Sequence, residues 1–461
     1  MVDLELPLLE TSFRVSLKEL EEPEALLEGD SDLAELNRAT DGAVGRQLGR
    51  VFHTPLPVQT NRVVAQLSGT PLLQQALLAA TTLGEVDGLQ PDLSGDALNR
   101  AVEEASVNGE LTLLALLRAM PGESVRVDLA RALGASQRML AQRRLASALV
   151  ESEPAGDVNE AWSAPGGRSS QRRLIEVPAN HRGGSLEVVV WEPQADALDR
   201  LVVISHGLWD PPESFEGWAS HLASHGYRVL LPSHPGSDIS QQREMLAGHT
   251  PPPGPDELRL RPLDVSAVID ADGADSVVVI GHSWGATTAL QLAGTQPSAN
   301  RLRERCTDLT DPDRNLSWVL QCSFLSSADR AGLADTRVRA IVAVSPPVNL
   351  LFERGAGIDM QARALLVSGT RDWVVSPDPE AVVPFAPAKL RGHQLVLVDG
   401  GDHFNLKSAA DGDGGPLRAL LLAWTTAAFD AGDAVVPTPK APPLLPASGW
   451  GSDTLPLVAV P

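Results

Sequence analysis

Gly281-His282-Ser283-Trp284-Gly285 is the stretch whose reading decides the fold of this chain. Ser276-Val277-Val278-Val279-Ile280 precedes it, a β-branched run of the length and character of a buried strand. Ala286-Thr287-Thr288-Ala289-Leu290-Gln291-Leu292-Ala293 follows it and reads as a helix. A G-x-S-x-G run between strand and helix is the context of a nucleophile elbow. The turn forces Ser283 into an unfavourable backbone conformation and presents its hydroxyl above the sheet. The flanking glycines let strand and helix approach without side-chain collision. The helix N-terminus behind the serine favours developing negative charge.

A serine is a poor nucleophile without a base, and the base needs an acid to orient it. In a strand-elbow-helix architecture the chain order is Ser, acid, His. Arg363 to Ser368 reads as a strand running into Gly369-Thr370-Arg371-Asp372, which puts Asp372 in the turn at its C-terminal edge. Gln394 to Val398 reads as the next strand, and Asp399-Gly400-Gly401-Asp402-His403 follows it. Ser283, Asp372 and His403 therefore have the right order and lie at one edge. His393 is the rival base, but it precedes its strand. Asp399 and Asp402 are the rival acids, but both are too near His403 in sequence to sit behind its ring. An Asp in a Gly-Thr-Arg-Asp turn is also an ordinary turn residue.

An oxyanion formed at Ser283 needs two backbone N–H donors. Trp284, next after the serine, supplies one. The other comes from the loop after an earlier strand. Leu201 to Ser205 is that strand, and Leu208 in His206-Gly207-Leu208-Trp209 is the expected donor. His206 reads as a brace for this loop.

Ser205-His206-Gly207-Leu208, Ala219 to Tyr227 and Pro232-Ser233-His234-Pro235-Gly236-Ser237 resemble the α/β-hydrolases. More narrowly, they resemble the branch of platelet-activating-factor acetylhydrolases and bacterial dienelactone-hydrolase-like proteins. Leu113 to Pro121 and Val125 to Leu129 resemble a helical N-terminal domain that accompanies such hydrolases in cyanobacteria. Together the matches cover most of residues 1–430. The resemblance implies a mostly parallel central sheet flanked by helices, preceded by an all-α N-terminal domain. It also implies a serine hydrolase cleaving short-chain or lipid-derived acyl esters, with no cofactor and no metal. The alternatives are a binding or scaffold protein on a hydrolase fold, a thioesterase and a peptidase. Two positions depart from the family pattern: Ala286 replaces a frequent second glycine, and Ser283 stands where dienelactone hydrolases proper have cysteine.

With 461 residues the chain is long enough for two domains and a large core. A formal net charge of −22 repels phosphate backbones and anionic lipids, so the expected partner is a small-molecule ester and not nucleic acid. No apolar run reaches membrane-spanning length. No leader is legible either, since charged residues begin at Asp3. Oligomeric state is not legible.

Cys306 and Cys322 are the only cysteines, in one polar segment after the elbow helix. They are a candidate disulfide, which would imply a periplasmic or secreted location. The other reading is two buried thiols in a cytosolic protein. Two cysteines without adjacent histidines do not make a zinc site.

Residues 1–150 read as a helical domain, in which residues 1–27, with Pro7 and Pro23, form an extended arm and a helix. Pro71, Pro91 and Pro121 mark helix starts or breaks. Residues 151–170, rich in Gly, Pro and Ser, read as a linker. Residues 171–434 form the expected α/β-hydrolase domain, with an insertion loop over 301–335. Residues 435–461 read as a proline-rich tail, extended on the surface or disordered.

Overall fold

The computed structural model describes residues 2–6, 11–15, 21, 29, 32–55, 60–80, 84–86, 94–107, 111–120, 122, 125–409 and 412–461. Pro7, Pro23, Pro91 and Pro121 lie outside these residues. The chain divides into two compact units, Met1–Arg138 with Gln241–Gly254, and Met139–Ser240 with Pro255–Pro461.

The first unit contains helices Asp32–Ala39, Ala43–His53, Thr60–Leu67, Pro71–Ala80, Asp96–Val107 and Leu113–Ala119. Pro71 opens its helix, where a missing N–H costs nothing. In helix Asp96–Val107 the buried Ala97, Ala101 and Ala105 recur every fourth residue, one apolar stripe. Thr112 caps the following helix by accepting from Ala115 N–H at 3.1 Å. The all-α expectation is corrected by four short strands: β1 (Val2–Leu6), β2 (Thr11–Val15), β3 (Gly84–Val86) and β4 (Val125–Asp128). They form one sheet in the order β2-β1-β4-β3. Val125-Arg126-Val127-Asp128 alternates apolar and polar, the two-residue period of a strand, but the run is too short to stand out beside Leu/Ala-rich helices.

The second unit is built on nine strands: β5 (Ser170–Ala179), β6 (Gly184–Pro193), β7 (Leu201–Ser205), β8 (Arg228–Pro232), β9 (Val277–His282), β10 (Val338–Val344), β11 (Arg363–Gly369), β12 (Gln394–Val398) and β13 (Leu457–Val460). Their order is β13-β12-β11-β10-β9-β7-β8-β6-β5. Strands β8, β7, β9, β10, β11 and β12 run parallel, and antiparallel strands close both edges. Every residue of β7 and β9 is buried, because helices cover both faces; this is why they read as unbroken apolar runs. Helices Glu257–Asp272 and Trp284–Leu292 pack on one face, Glu216–Ser224 and Arg418–Asp430 on the other.

Three expected boundaries shift. Helix Leu129–Ser152 is continuous, and its fully buried Ala146 belongs to the core of the second unit, so residues 139–152 go with the sheet. The 435–461 tail is folded, with Leu445 and Trp450 buried and β13 paired to β12. Residues 151–170 are clasped to that tail: Gly156 N–H donates to Leu457 O (2.8 Å), Gly451 N–H to Asp157 O (2.9 Å) and Asn159 N–H to Gly449 O (3.1 Å). Proline-rich segments have few N–H donors of their own, and here the two pair with each other. The 301–335 segment carries helices Ala299–Arg305 and Ser317–Ser323, and Cys306 and Cys322 are joined by a disulfide, their Cα atoms 5.7 Å apart.

Candidate active site

Strand β9 ends at His282 and a helix begins at Trp284, which leaves Ser283 alone in the turn. Its φ of 53° and ψ of −122° lie in a region that costs a non-glycine residue about 1–3 kcal/mol. Two neighbours hold it there. Ser283 N–H donates to Val344 O at the end of β10 (2.8 Å), and Ser283 O accepts from Ala286 N–H (2.9 Å). A Cβ on Gly281 would collide with the Gly285 carbonyl, and one on Gly285 with that of Ser205, so both flanking positions must be glycine.

Asp372 and His403 follow the ends of β11 and β12, parallel to β9 and at the same sheet edge. Their loops touch because Gly369 and Gly401 lie against each other where a Cβ would not fit. His403 Nδ1–H donates to Asp372 Oδ2 at 2.9 Å. The other carboxylate oxygen, Oδ1, accepts from the Val374 and Val375 amides at 3.0 and 2.8 Å. With Nδ1 carrying the proton, Nε2 of His403 is a lone-pair acceptor.

The rivals are engaged elsewhere. His393 is buried at the start of β12, where its Nδ1 accepts from Ala364 N–H (3.0 Å), and burial pulls it down to about 4. Asp399 accepts from Thr370 Oγ1 at 3.2 Å. Asp402 Oδ1 caps its own turn, accepting from the Phe404 and Asn405 amides at 2.8 Å each.

The loop after β7 passes beside the serine: a Cβ built on Gly207 would be 3.2 Å from Ser283 Cβ. Trp284 is the first helical residue, so its N–H has no intrahelical acceptor. Leu208 follows Gly207 in the same loop, which His206 braces. His206 Nε2 accepts from His234 N–H (3.1 Å), so Nδ1 holds the proton and donates to Gly207 O (2.7 Å). Burial keeps this ring neutral, far below its ordinary pKa. The fully buried Arg261 donates to His206 O and stacks on the Trp284 indole at 4.7 Å.

Sequence reasoning missed two polar groups behind these loops. Asp210 takes an ion pair from Lys407 at 2.7 Å, beside the buried His282. Burial opposes its charge, but the Lys407 ammonium bonded to it helps hold the carboxyl well below the usual range. Lys407 is one of only four lysines in the chain, which was the available signal. The second group joins Ser205 Oγ to His234 Nε2 (2.9 Å) and His234 Nδ1 to Asp264 Oδ2 (2.8 Å). This has the connectivity of a catalytic triad, yet all three side chains are inaccessible. Arg182 closes it with Nε 2.6 Å from Asp264 Oδ1.

Aromatic side chains rim the His403 loop. Phe404 lies edge-on to the His403 ring at 5.4 Å, and Trp373 is 6.4 Å from Phe404. Both are about half exposed, at 54% and 49%. A cavity of about 200 Å³ adjoins the Asp372 loop, with Met139, Leu140 and Trp373 among its walls.

This sheet order, with an elbow serine at the C-terminal edge, is the α/β-hydrolase fold. Residues 200–353 match the family model of the α/β-hydrolase fold. Among curated proteins the chain is similar to the AB hydrolase superfamily protein YfhM of Bacillus subtilis, 33% identical over 102 residues, which cover 21% of this chain and 32% of that protein. It is 32% identical to epoxide hydrolase B of Mycobacterium tuberculosis over 123 residues, 26% of this chain and 31% of that one. It is 34% identical to a carbendazim hydrolyzing esterase of Nocardioides over 83 residues, 18% and 31%. The chain spans about a third of the length of the curated relatives it matches.

Proposed function

We propose that this chain is a serine hydrolase that cleaves carboxylic esters through an acyl-enzyme. Ser283 Oγ attacks the acyl carbon and gives its proton to His403 Nε2. Asp372 holds the ring in the tautomer that can accept it and stabilises the imidazolium. The N–H groups of Trp284 and Leu208 hold the tetrahedral oxyanion. His403 then protonates the leaving alcohol, and water, deprotonated by the same ring, releases the acid.

The observations that carry this reading are the 2.9 Å bond from His403 Nδ1 to Asp372 Oδ2 and a serine at positive φ directly after His282, whose ring bonds the His403 carbonyl. The chemistry of the nucleophile narrows it further. A serine that opened an epoxide would be left as an ether, which this site could not hydrolyse; attack on an ester leaves an acyl-serine that water cleaves. The exposed Trp373 and Phe404 favour an apolar group beside His403. The resemblance to the platelet-activating-factor acetylhydrolase branch favours short acyl chains over long-chain triglycerides.

Labelling with a fluorophosphonate, then a series of p-nitrophenyl esters of rising chain length, tests the proposal. The wild type labels and Ser283→Ala does not. Ser283→Ala loses about a million-fold in kcat. A Ser283→Ala preparation that keeps its activity overturns the assignment, and a rate jump on emulsified long-chain lipid overturns the chain-length preference.

A further inference from the structure

A cavity of about 260 Å³ lies at the other end of the helix that Ser283 begins. Leu290, in its wall, is six residues beyond Trp284, roughly 9 Å along the axis at 1.5 Å per residue. None of the active-site residues named above lines it. Its walls are apolar: Leu290, Val348, Phe352, Met360, Leu366 and Phe385.

The polar part of the lining is Thr295, Arg301, Asn349, Glu353 and Arg354, and it is incompletely bonded. Helix Ala299–Arg305 carries three arginines. Arg303 pairs with Asp329 at 2.8 Å and Arg305 with Asp311 at 2.6 Å. Arg301, the one that lines the cavity, has no carboxylate within 4.0 Å among the described residues; its Nη2 donates to Asn349 Oδ1 at 3.0 Å. Arg301 Nε and Asn349 Nδ2 are buried donors without a partner among the described residues. Burial, with Arg305 and Arg354 close by, opposes the charge of Arg301, and Glu353 and Asp313 only partly offset this. Glu353 also lines the cavity, but its Oε1 is held by Ser298 Oγ (2.8 Å) and Asn300 Nδ2 (3.2 Å). The backbone here is fixed, because Val348 and Asn349 N–H both donate to the buried Glu380 at 2.7 Å. In a chain of net charge −22, unpaired guanidinium beside a preformed apolar cavity is a place for an anion with an apolar body.

We propose that this cavity is a second ligand site, which takes a monocarboxylate with an unbranched aliphatic tail. The carboxylate meets Arg301 and Asn349, and the tail lies against Leu290, Phe352, Met360 and Phe385. A dry cavity of about 150 Å³ holds benzene, so this one suits a tail of roughly eight to ten carbons. Ester cleavage at Ser283 would release an acid of this class, but the site does not depend on that reading.

Calorimetric titration of the full chain with decanoate and with decanol tests it. One decanoate site is expected. Arg301→Gln should weaken decanoate at least tenfold, the worth of a charge-assisted hydrogen bond, and leave decanol within twofold. Val383→Glu, at a 51% exposed position on the cavity wall, should also weaken decanoate severalfold; it carries the test if near-UV circular dichroism finds Arg301→Gln misfolded. Ser283→Trp, which obstructs the active site, should leave decanoate binding unchanged. The proposal fails if the wild type does not bind decanoate. It fails if the folded Arg301 and Val383 variants bind it as the wild type does, or if a Ser283→Trp variant that near-UV circular dichroism finds folded does not bind it.

Discussion

His282 Nε2–H donates to the backbone carbonyl of His403 at 3.0 Å, and the two rings lie 4.8 Å apart. The residue before the proposed nucleophile thus holds the loop that carries the proposed base. A carbonyl oxygen can only accept, so the bond sets the His282 tautomer. Burial pulls the His282 pKa down and keeps the ring neutral. Two loops separated by 121 residues are in this way fixed to one another without any charge at the contact.

The Asp372 carboxylate is expected to matter through one oxygen. Asp372→Asn should keep the fold and cut turnover by roughly ten-thousand-fold, because an amide at Oδ2 cannot hold the Nδ1–H tautomer. Asp399→Asn and Asp402→Asn should stay within about tenfold of wild type. Steady-state kinetics on a p-nitrophenyl ester decide it; a larger loss at Asp399 or Asp402 would move the acid there.

Reduction of the Cys306–Cys322 bond, which spans a sequence separation of 16, should destabilise the second unit by about 3 kcal/mol in the chain-entropy model. The measurement is calorimetric melting with and without a phosphine reductant. Equal melting temperatures, or two titratable thiols in unreduced unfolded protein, would contradict it.

Trp450 anchors the clasp between residues 151–170 and the tail. It is 5% exposed, packs on Gly156 and donates from Nε1 to Pro446 O at 2.9 Å. Trp450→Ala should cost about 3–5 kcal/mol, as for other buried tryptophans, and leave the Asp372–His403 pair in place. Urea unfolding provides the number; a change below about 1 kcal/mol would mean that the tail contributes little.

Acid should destabilise the protein well above its carboxylate range. His206, His221, His225, His234, His282 and His393 are pulled down chiefly by burial, His221 and His393 to about 4 and His234 to about 3. Below the unfolded value of about 6.5 the unfolded chain takes up protons that the folded chain refuses. Stability is therefore full above that pH and falls as the pH drops towards 4, by up to about 1.4 kcal/mol per pH unit for each such histidine. Asp210 and Asp264 also have lowered values, so their stabilisation is lost only at still lower pH. Urea midpoints at pH 7.5, 6 and 5 should fall in that order, and a flat series would refute the argument.

What the sequence determined by itself was local or periodic. Val277 to Ile280, Ser283 and the Ala286–Ala293 run are consecutive, so strand, turn and helix could be read without knowing their surroundings. Asp372 and His403 were legible as residues just past strand ends, since the apolar runs of β11 and β12 announce those ends. Only the tertiary structure decided what depends on pairs distant in sequence. Glu380 is a fully buried carboxylate that accepts from Asn315, Ser317, Gln321, Val348 and Asn349, and nothing in its own neighbourhood signals this. The proline-rich tail became a strand because β12 offered an unpaired edge, and the apparent linker became its partner. Ser205, His234 and Asp264 share the connectivity of a triad, but β7 and its covering helices bury them. Ser205, His234 and Asp264 are wholly inaccessible, whereas Ser283 and His403 keep 8% and 6% of their surface exposed, a property of the packed molecule and of no single segment.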